Sequence, residues 1–396
     1  MKLVLIADTF PPLRTSGAVQ LRDLAREIVR QGHELTVLLP DADLGLPWSL
    51  ESIDGAQVLR LRAPRIKDIG YLRRTIGEWI MPYSMWRNLR KSPLYGQHWE
   101  GVVWYSPSIF HAPLVRAIKR QSRCMGYLIV RDIFPEWAVD LELIRPGLAY
   151  AFFKWIARKQ YEAADIIGVQ TPGNLGYFHH WHHAEKGRSL EVLQNWLGAP
   201  VRARCRIRIE ETNIFGRKIF VYAGNMGLAQ GMDILIDLAA KMQARADIGF
   251  LFVGRGSEAK RLQSRAKMLG LDNVIFYDEI DPDEIPDIYA QCHAGMVALD
   301  PRHKSHNIPG KFLTYMQNRL PVLATVNTGN DLTALVRNES VGEVSESNSV
   351  DELAVNCHSL AQRIEVDSQL PDRCLRLFER QFSVGQAVRQ IVSALK

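Results

Sequence analysis

The sequence is poor in cysteine and contains no long apolar run. Its five cysteines form no CxxC pair, and their odd number argues against a disulfide framework, so we expect inert thiols in a reducing cytoplasm. No stretch approaches the roughly 18 uncharged apolar residues of a membrane-spanning helix. The apolar run at residues 3–7 is too short for a signal peptide and predicts a buried strand. Any membrane contact is therefore expected to be peripheral.

The composition is that of a globular protein. Hydrophobic residues make up 47% of the chain and charged residues 23%, which excludes a disordered class. The 396 residues exceed what one ordinary core accommodates, so we expect two domains. The net charge of +6 favours acidic partners, namely nucleotides, nucleic acids or an anionic bilayer.

Short apolar segments alternate with amphipathic helices along both halves of the chain. The alternation predicts an α/β fold of two Rossmann-like, doubly wound domains whose strand ends face a central cleft. A charged stretch at residues 195–216 interrupts the pattern and predicts a linker. We expect a first domain at residues 1–198, joined by a C-terminal helix at about 382–396, and a second domain at residues 199–381. The predicted strands are residues 3–7, 34–39, 102–105, 127–130 and 166–169, then 219–223, 248–253, 274–277, 294–299 and 321–325.

Two glycine-rich turns follow predicted strands of the second half. Residues 222–231 carry three glycines before a predicted helix at 232–240, and such a strand-to-helix turn suits a diphosphate. The alternative is a tight turn made only for packing. The second turn, residues 253–258, adds Arg255, but a GxG pattern is also common at ordinary helix starts.

A lysine stands at the predicted start of a helix in residues 306–316. Pro309 and Gly310 set a turn, so Lys311 projects from the first helical turn, where the helix dipole disfavours a cation. A bound anion would explain this residue. The segment is no Walker P-loop, because the upstream glycine is missing and Phe312 replaces the Ser or Thr that holds Mg²⁺.

These motifs together resemble family 4 glycosyltransferases, and most closely the branch that adds N-acetylfucosamine-type sugars to bacterial O-antigen and capsule intermediates. The resemblance rests on residues 222–231, the Val-Gly-x-Gly turn, and residues 308–316 with 320–324. It extends over nearly the whole chain, including Phe10-Pro-Pro with Gly17, residues 132–136 and Asn195-Trp196. It implies a GT-B fold with an acceptor-binding first domain and a nucleotide-sugar-binding second domain. It also implies retaining transfer from a nucleotide sugar, with neither a cofactor nor a metal.

The sequence departs from the wider family at three places. Many members carry two glutamates separated by seven residues, where this chain has His306 and Thr314. Many carry Arg and Lys in the first glycine turn, where this chain has Asn225 and Gln230. Many also carry a histidine after the strand that corresponds to residues 127–130, where Asp132 falls. We therefore expect Lys311 and Arg255 to hold the diphosphate. The expected donor-binding residues are Gly224, Asn225, Gln230, Gly231, Arg255, Gly256, Ile280, Gly310, Lys311 and Thr314.

In the first half, two segments after predicted strands are candidates for the acceptor side. The loop at residues 9–17 brings Ser16 and Gly17 close to the sugar or acceptor, unless it is a plain flexible connection. Asp132 and Glu136 can orient an acceptor hydroxyl or stabilise the developing positive charge, and the alternative is a helix cap. The expected catalytic residues are Asp132, Lys311 and Glu136.

Three further patterns are compatible with a metal site, but we expect none of them to bind a metal. Of the two DxD triplets, Asp41 is assigned to a polar loop and Asp283 to a helix cap. The histidines at residues 179–183 lack a carboxylate or cysteine at characteristic spacing, so we expect a surface loop there.

Residues 60–91 are unusually basic, with nine Lys or Arg against two acidic residues. Apolar and aromatic residues recur there at helical spacing, which is typical of an interfacial helix on an anionic membrane. The alternatives are a core-packing helical pair with a solvated basic face, or nucleic acid, for which no binding module is present. The expected membrane-facing residues are Arg73, Arg74, Trp79, Trp86, Arg87 and Arg90.

The resemblance and the motifs predict one function. We expect a retaining glycosyltransferase that moves an N-acetylated deoxyhexosamine from a UDP-sugar to an undecaprenyl-diphosphate-linked glycan, at the cytoplasmic face of the plasma membrane. Nucleic acid is not an expected partner. Two alternatives stay open: a UDP-sugar 2-epimerase of the same two-domain plan, and a non-catalytic subunit that binds a nucleotide sugar or a glycan lipid.

Overall fold

The computed structural model describes residues 1–13, 15–140, 144–183, 187–300 and 306–396. Two compact units divide the chain. Unit 1 comprises Met1–Gly198 with Val384–Lys396, and unit 2 comprises Ala199–Ser383. Among the described residues, no helix combines the length and apolar character needed to cross a bilayer.

Each unit contains one sheet built from short, largely buried strands. The strands are β1 (Lys2–Ile6), β2 (Glu34–Asp41), β3 (Trp48–Ile53), β4 (Ala56–Arg62), β5 (Gly101–Tyr105), β6 (Met125–Val130), β7 (Ile166–Val169), β8 (Ser189–Val192), β9 (Lys218–Ala223), β10 (Ile248–Val253), β11 (Val274–Tyr277), β12 (Ala294–Ala298), β13 (Val322–Thr325) and β14 (Gly342–Ser345).

Helices connect the strands. They are α1 (Ser16–Arg30), α2 (Tyr71–Leu89), α3 (Ala112–Ser122), α4 (Glu136–Asp140), α5 (Leu148–Tyr161), α6 (His179–His183), α7 (Asp233–Lys241), α8 (Ala259–Met268), α9 (Ile285–Tyr289), α10 (Gly310–Gln317), α11 (Asp331–Glu339), α12 (Val350–Val366), α13 (Leu370–Leu377) and α14 (Val384–Ala394). Short 3₁₀ segments occur at Pro172–Phe178, Ile209–Glu211, Leu228–Gln230 and Pro282–Glu284, and a π-helical turn at Phe378–Phe382.

The sheet of unit 1 has the strand order β3-β4-β2-β1-β5-β6-β7-β8. All its pairings are parallel except β3 with β4, which form a hairpin at the sheet edge. Alternate residues of each strand point to opposite faces. Ile6 therefore packs in one core with side chains of α2, α3 and α5, while Leu5 packs in the other with side chains of α1 and α14.

The sheet of unit 2 has the order β11-β10-β9-β12-β13-β14, with every pairing parallel. Buried, nearly continuous apolar strands are typical of parallel sheets covered on both faces. The predicted α/β class with two Rossmann-like, doubly wound sheets is confirmed.

Several local predictions are wrong. Strands β3, β4, β8 and β14 were not predicted. Ser16 and Gly17 belong to α1 and not to the loop before it. Arg14 of that loop lies outside the described residues. The histidine segment is the helical turn α6, anchored because Trp181 is buried. Asp41 ends β2 rather than lying in a loop. The helix cap is Asp281, whose carboxylate accepts from the Asp283 N–H, and not Asp283 itself.

Candidate functional site

The two glycine turns of unit 2 pack directly against each other at the carboxyl ends of β9 and β10. A Cβ on Gly254 would lie 2.0 Å from the Gly224 carbonyl oxygen, and one on Gly256 would lie 2.3 Å from the Met226 carbonyl oxygen. The Met226 N–H donates to the Arg255 carbonyl at 2.7 Å. Packing between the turns therefore requires the glycines of the second turn, whatever they bind.

Gly224 has a different neighbour, the side chain of Lys311. A Cβ on Gly224 would lie 2.9 Å from Lys311 Cε, and the φ of +132° also favours glycine. Lys311 Nζ lies 4.6 Å from the centroid of the Tyr222 ring, a cation–π distance. The glycine thus makes room for the lysine stem, which places the ammonium group at the mouth of the first turn.

The surroundings of Lys311 disfavour its charge. Burial lowers the pKa of its amine to about 8. The residue is second in α10, which begins at Gly310, where the helix dipole also disfavours a cation. Among the described residues no carboxylate pairs with Nζ. A desolvated amine without a counterion gains most from a bound anion, and a diphosphate has this chemistry.

The amide side chains of the first turn support the turn itself. Gln230 Oε1 accepts from the Gly227 N–H at 2.9 Å and lies 3.4 Å from Asn225 Nδ2. Gly231 has a φ of +56°, and a Cβ there would approach the Asp300 backbone at 3.0 Å. Asn225 is exposed and remains open to a ligand.

The other expected donor residues are less available. Arg255 is exposed and pairs with Glu279 at 3.0 Å, so its charge is already partly balanced. The side chain of Ile280 is buried. Thr314 Oγ1 lies 3.4 Å from the Gly310 carbonyl. Lys311 is therefore the stronger candidate for the diphosphate.

His306, which stands where many relatives carry a glutamate, faces a neighbouring turn. Its Nδ1 lies 3.0 Å from the Gly329 carbonyl oxygen. The ring nitrogen therefore donates to that oxygen, and the histidine ties its segment to the turn after β13.

In unit 1, β6 is followed directly by a buried arginine that the sequence did not single out. The Arg131 guanidinium stacks over Trp196 at 4.3 Å and donates from Nη1 to the Leu193 carbonyl at 3.1 Å. Within the described residues, its Nε and Nη2 lack a hydrogen-bond partner. Asp132 follows it at the surface. Desolvation raises the pKa of the Asp132 carboxyl, and the positive charge of Arg131 opposes this shift.

The remaining acceptor-side candidates have separate surroundings. Glu136 begins α4 and lies 3.7 Å from Lys154 of α5. Ser16 and Gly17 form the first turn of α1, capped by Thr15, whose side chain accepts from the Ala18 N–H. The first turn of α1 contains no acidic residue, so its N–H groups are unopposed by side-chain charge.

An apolar surface in unit 1 joins α2 and α5. Trp79 stacks on Phe152 and Trp155 with ring centroids 5.7 and 5.8 Å apart. The exposed apolar members of this surface, called here the α2–α5 surface, are Tyr71, Leu72, Ile76, Trp79, Ile80, Tyr83, Leu148, Phe152 and Trp155. The sequence reasoning missed α5, although its segment combines aromatic residues with lysine and arginine as α2 does.

The other expected membrane-facing residues differ among themselves. Arg73, Arg87 and Arg90 are exposed. Arg74 pairs with Glu78 at 2.9 Å. Trp86 is half-buried and packs against the unit 1 core, so it contributes little to the exposed surface.

Among the described residues, no three His, Cys, Asp or Glu side chains cluster as metal ligands would. The side chain of His183, which the chelation hypothesis needs, lies outside the described part of the chain.

The chain is similar to known glycosyltransferases. Residues 217–363 match the family model for Glycosyl transferases group 1. The chain is 23% identical over 330 residues to the putative colanic acid biosynthesis glycosyl transferase WcaI of Escherichia coli K12, covering 74% of this chain and 76% of that protein. It is 22% identical over 225 residues to the probable glycosyltransferase WbjE of Pseudomonas aeruginosa, covering 54% of each.

Solved structures agree on the fold. WaaG, a glycosyltransferase involved in lipopolysaccharide biosynthesis, superposes with a TM-score of 0.60 at 14% identity, covering 100% of this chain and 99% of that one. Anabaena HepE in complex with UDP and glucose superposes with a TM-score of 0.63 at 15% identity, covering 99% of each. These likenesses show that the chain has the GT-B fold. The match of residues 217–363 to the group 1 model and the similarity to the two curated proteins support a glycosyltransferase.

Proposed function

We propose that the protein transfers a sugar from a UDP-sugar, with retention of configuration, to a lipid-linked glycan. The observation that carries the donor assignment is the Lys311 amine, desolvated beside Gly224 and without a carboxylate partner among the described residues. Support for uridine comes from the sequence resemblance and from HepE, a structural neighbour solved with UDP and glucose. The resemblance also favours an N-acetylated deoxyhexosamine as the sugar.

The transfer requires stabilisation of the departing diphosphate. The bond between the anomeric carbon and the phosphate oxygen breaks, and negative charge grows on that oxygen. The protonated Lys311 amine and the N–H groups of the first glycine turn stabilise this charge, and no metal is needed. The acceptor oxygen forms the new bond on the same face, and its proton passes to the departing phosphate oxygen. In unit 1, Asp132 orients the acceptor hydroxyl.

The acceptor assignment rests on two supports. The relative WcaI is named for colanic acid biosynthesis, and WaaG for lipopolysaccharide biosynthesis, both of which concern bacterial surface glycans. The α2–α5 surface exposes aromatic and aliphatic side chains beside cations, which suits an anionic leaflet. An undecaprenyl-diphosphate-linked glycan presented at the cytoplasmic face of the membrane has the matching chemistry.

The test is a screen of UDP- and GDP-sugars against an undecaprenyl-diphosphate-linked acceptor, with product configuration assigned by NMR. Transfer from a UDP-sugar with retention is expected. Inversion, or transfer from GDP-sugars alone, contradicts the proposal. Each sugar is also incubated without acceptor, because epimerisation there would support the 2-epimerase alternative. Tight binding without turnover under every condition would support a non-catalytic subunit.

Thermal unfolding gives a second test of the donor site. A ligand that binds only the folded state raises the unfolding temperature. UDP should therefore raise it more than GDP or AMP does. Equal shifts with all three nucleotides would contradict a uridine-specific site.

A further inference from the structure

A cavity in unit 1 collects cations that the donor chemistry does not use. It measures about 470 Å³ and lies between the end of β4 and the C-terminal half of α2. Its polar lining includes Arg62 and Arg65 from the strand end, and Ser84, Arg87, Asn88 and Lys91 from the helix and the turn after it. Ser84, Arg87 and Asn88 stand at positions i, i+3 and i+4 of α2, so they share one helix face, and Lys91 follows in the turn after the helix.

The cavity carries an excess of positive charge. Arg65 pairs with Asp43 at 2.5 Å. Among the described residues, Arg62, Arg87 and Lys91 have no carboxylate within ion-pair distance. Three like charges around one cavity repel each other, and an anion that enters it replaces repulsion by attraction.

The walls of the cavity are fixed by hydrogen bonds. Asn88 Nδ2 donates to the Arg62 carbonyl at 2.6 Å, which ties the helix to the strand end. Trp48 Nε1 donates to the Lys91 carbonyl at 2.8 Å, which ties β3 to the end of the helical segment. The backbone of the strand end and of the helix end is therefore fixed around the cavity, and a bound anion need not order it.

The cavity adjoins the α2–α5 surface along one helix. Tyr83, an exposed member of that surface, directly precedes the cavity residue Ser84. Arg87 stands one turn further along, about 6 Å in helical rise from Tyr83. A ligand with an anionic head and an apolar chain can therefore engage both features at once.

We propose that this cavity binds the phosphate or diphosphate headgroup of a membrane lipid whose chain lies along the α2–α5 surface. The inference rests on the membrane part of the proposed function. It adds a headgroup site whose residues all belong to unit 1, whereas Lys311 belongs to unit 2. The ligand class is a phosphorylated lipid, and a polyprenyl diphosphate offers the largest charge on one headgroup.

The experiment uses the full chain saturated with UDP, so that the donor site is occupied. Binding is measured to vesicles of phosphatidylcholine that contain a polyprenyl diphosphate, and to vesicles that contain phosphatidylglycerol at equal total charge. The cavity variant is Arg87→Gln/Lys91→Gln. The control is Arg120→Gln/Arg376→Gln, which removes the same charge from exposed residues that do not line the cavity. Circular dichroism and unfolding temperature establish that both variants fold.

The wild type and the control should prefer the diphosphate vesicles at least about tenfold, and the cavity variant should bind both kinds about equally. The proposal is overturned if the wild type shows no preference for the diphosphate vesicles, or if the cavity variant keeps that preference. Surface charge alone would then account for vesicle binding. Inorganic pyrophosphate is titrated in parallel. If the cavity binds it but the wild type shows no vesicle preference, the site serves a free phosphate instead.

Sugar transfer to a soluble acceptor without phosphate separates this inference from the proposed function. If transfer fails while the vesicle preference depends on the cavity, the catalytic proposal falls and the headgroup site stands. If transfer succeeds while the preference is absent, the headgroup site falls and the catalytic proposal stands.

Discussion

Unpaired cations occur in both units, but in opposite surroundings. Lys311 of unit 2 is desolvated against a glycine turn and an aromatic ring, and burial lowers its pKa to about 8. The cations at the end of β4 and on α2 in unit 1 are exposed to water and gathered in numbers. A charge in a low-dielectric site interacts strongly with one well-placed anion, whereas each surface charge is screened by water and salt. We therefore expect Lys311 to account for most of the anion binding in unit 2, and many cations to contribute weakly to anion binding in unit 1.

The largest expected effect follows from Lys311→Ala. Removing one preorganised donor from a developing oxyanion typically lowers kcat by about 10²–10³. We expect a loss in that range, measured by steady-state kinetics, with a smaller change in donor affinity. Lys311→Arg should recover only part, because a guanidinium is longer and planar. The control is Lys241→Ala, an exposed lysine of the same unit that pairs with Asp351. A nearly normal kcat for Lys311→Ala would place the diphosphate elsewhere, with Arg255 the next candidate.

Asp132→Asn tests whether the surface carboxylate of unit 1 contributes on its own. A positioned carboxylate contributes on the order of 10² to the rate, so kcat/KM for the acceptor should fall by about that factor. UDP affinity should stay near normal. Asp68→Asn is the matched control, because Asp68 is exposed and its positive φ is tolerated by asparagine. Equal losses of acceptor use and UDP binding in Asp132→Asn would contradict a role at the acceptor.

The pH dependence of UDP binding should report the desolvated amine. Because the pKa of Lys311 lies near 8 without ligand, its protonated fraction falls from about 90% at pH 7 to about 10% at pH 9. A bound diphosphate favours the protonated amine and raises its pKa, so binding near pH 8 takes up a proton. UDP affinity should therefore weaken up to about tenfold from pH 7 to 9. Calorimetry in buffers of different ionisation enthalpy measures the proton uptake, and Lys311→Ala should abolish it.

The smallest effect per residue is expected at the surface cations. Each cation near an anionic leaflet contributes about 1 kcal/mol, so Arg73→Gln alone should weaken vesicle binding about fivefold. Glutamate at all of Arg73, Arg74, Arg87 and Arg90 should release the protein, while activity on a soluble acceptor survives. Vesicle sedimentation at rising salt measures both. If vesicle binding changes neither with these substitutions nor with salt, α2 packs against the protein or faces water and does not contact the membrane.

The sequence supported the parallel sheets well and the edge elements poorly. Strands such as β7 and β10 match their predicted bounds because buried parallel strands are continuous apolar runs. The hairpin of β3 and β4 has an exposed first strand whose mixed pattern produces no such signal. Strand β14 is four residues long, with Glu343 among them. Its pairing with β13 depends on contacts that are distant along the chain, which local periodicity does not report.

The sequence alone determined the fold class, the alternation of buried strands and helices in each half, the glycine turns and the exceptional position of Lys311. These follow from periodicity and from the residue types that special backbone conformations require. Only the tertiary structure decided which neighbouring group each glycine makes room for, and that Arg255 already has an acidic partner. It also decided that Arg131 is buried against Trp196, and that α5 and α2 together form the apolar surface. The physical reason is that pairing, burial and desolvation depend on residues far apart in sequence, and these meet only after the strands and helices have packed.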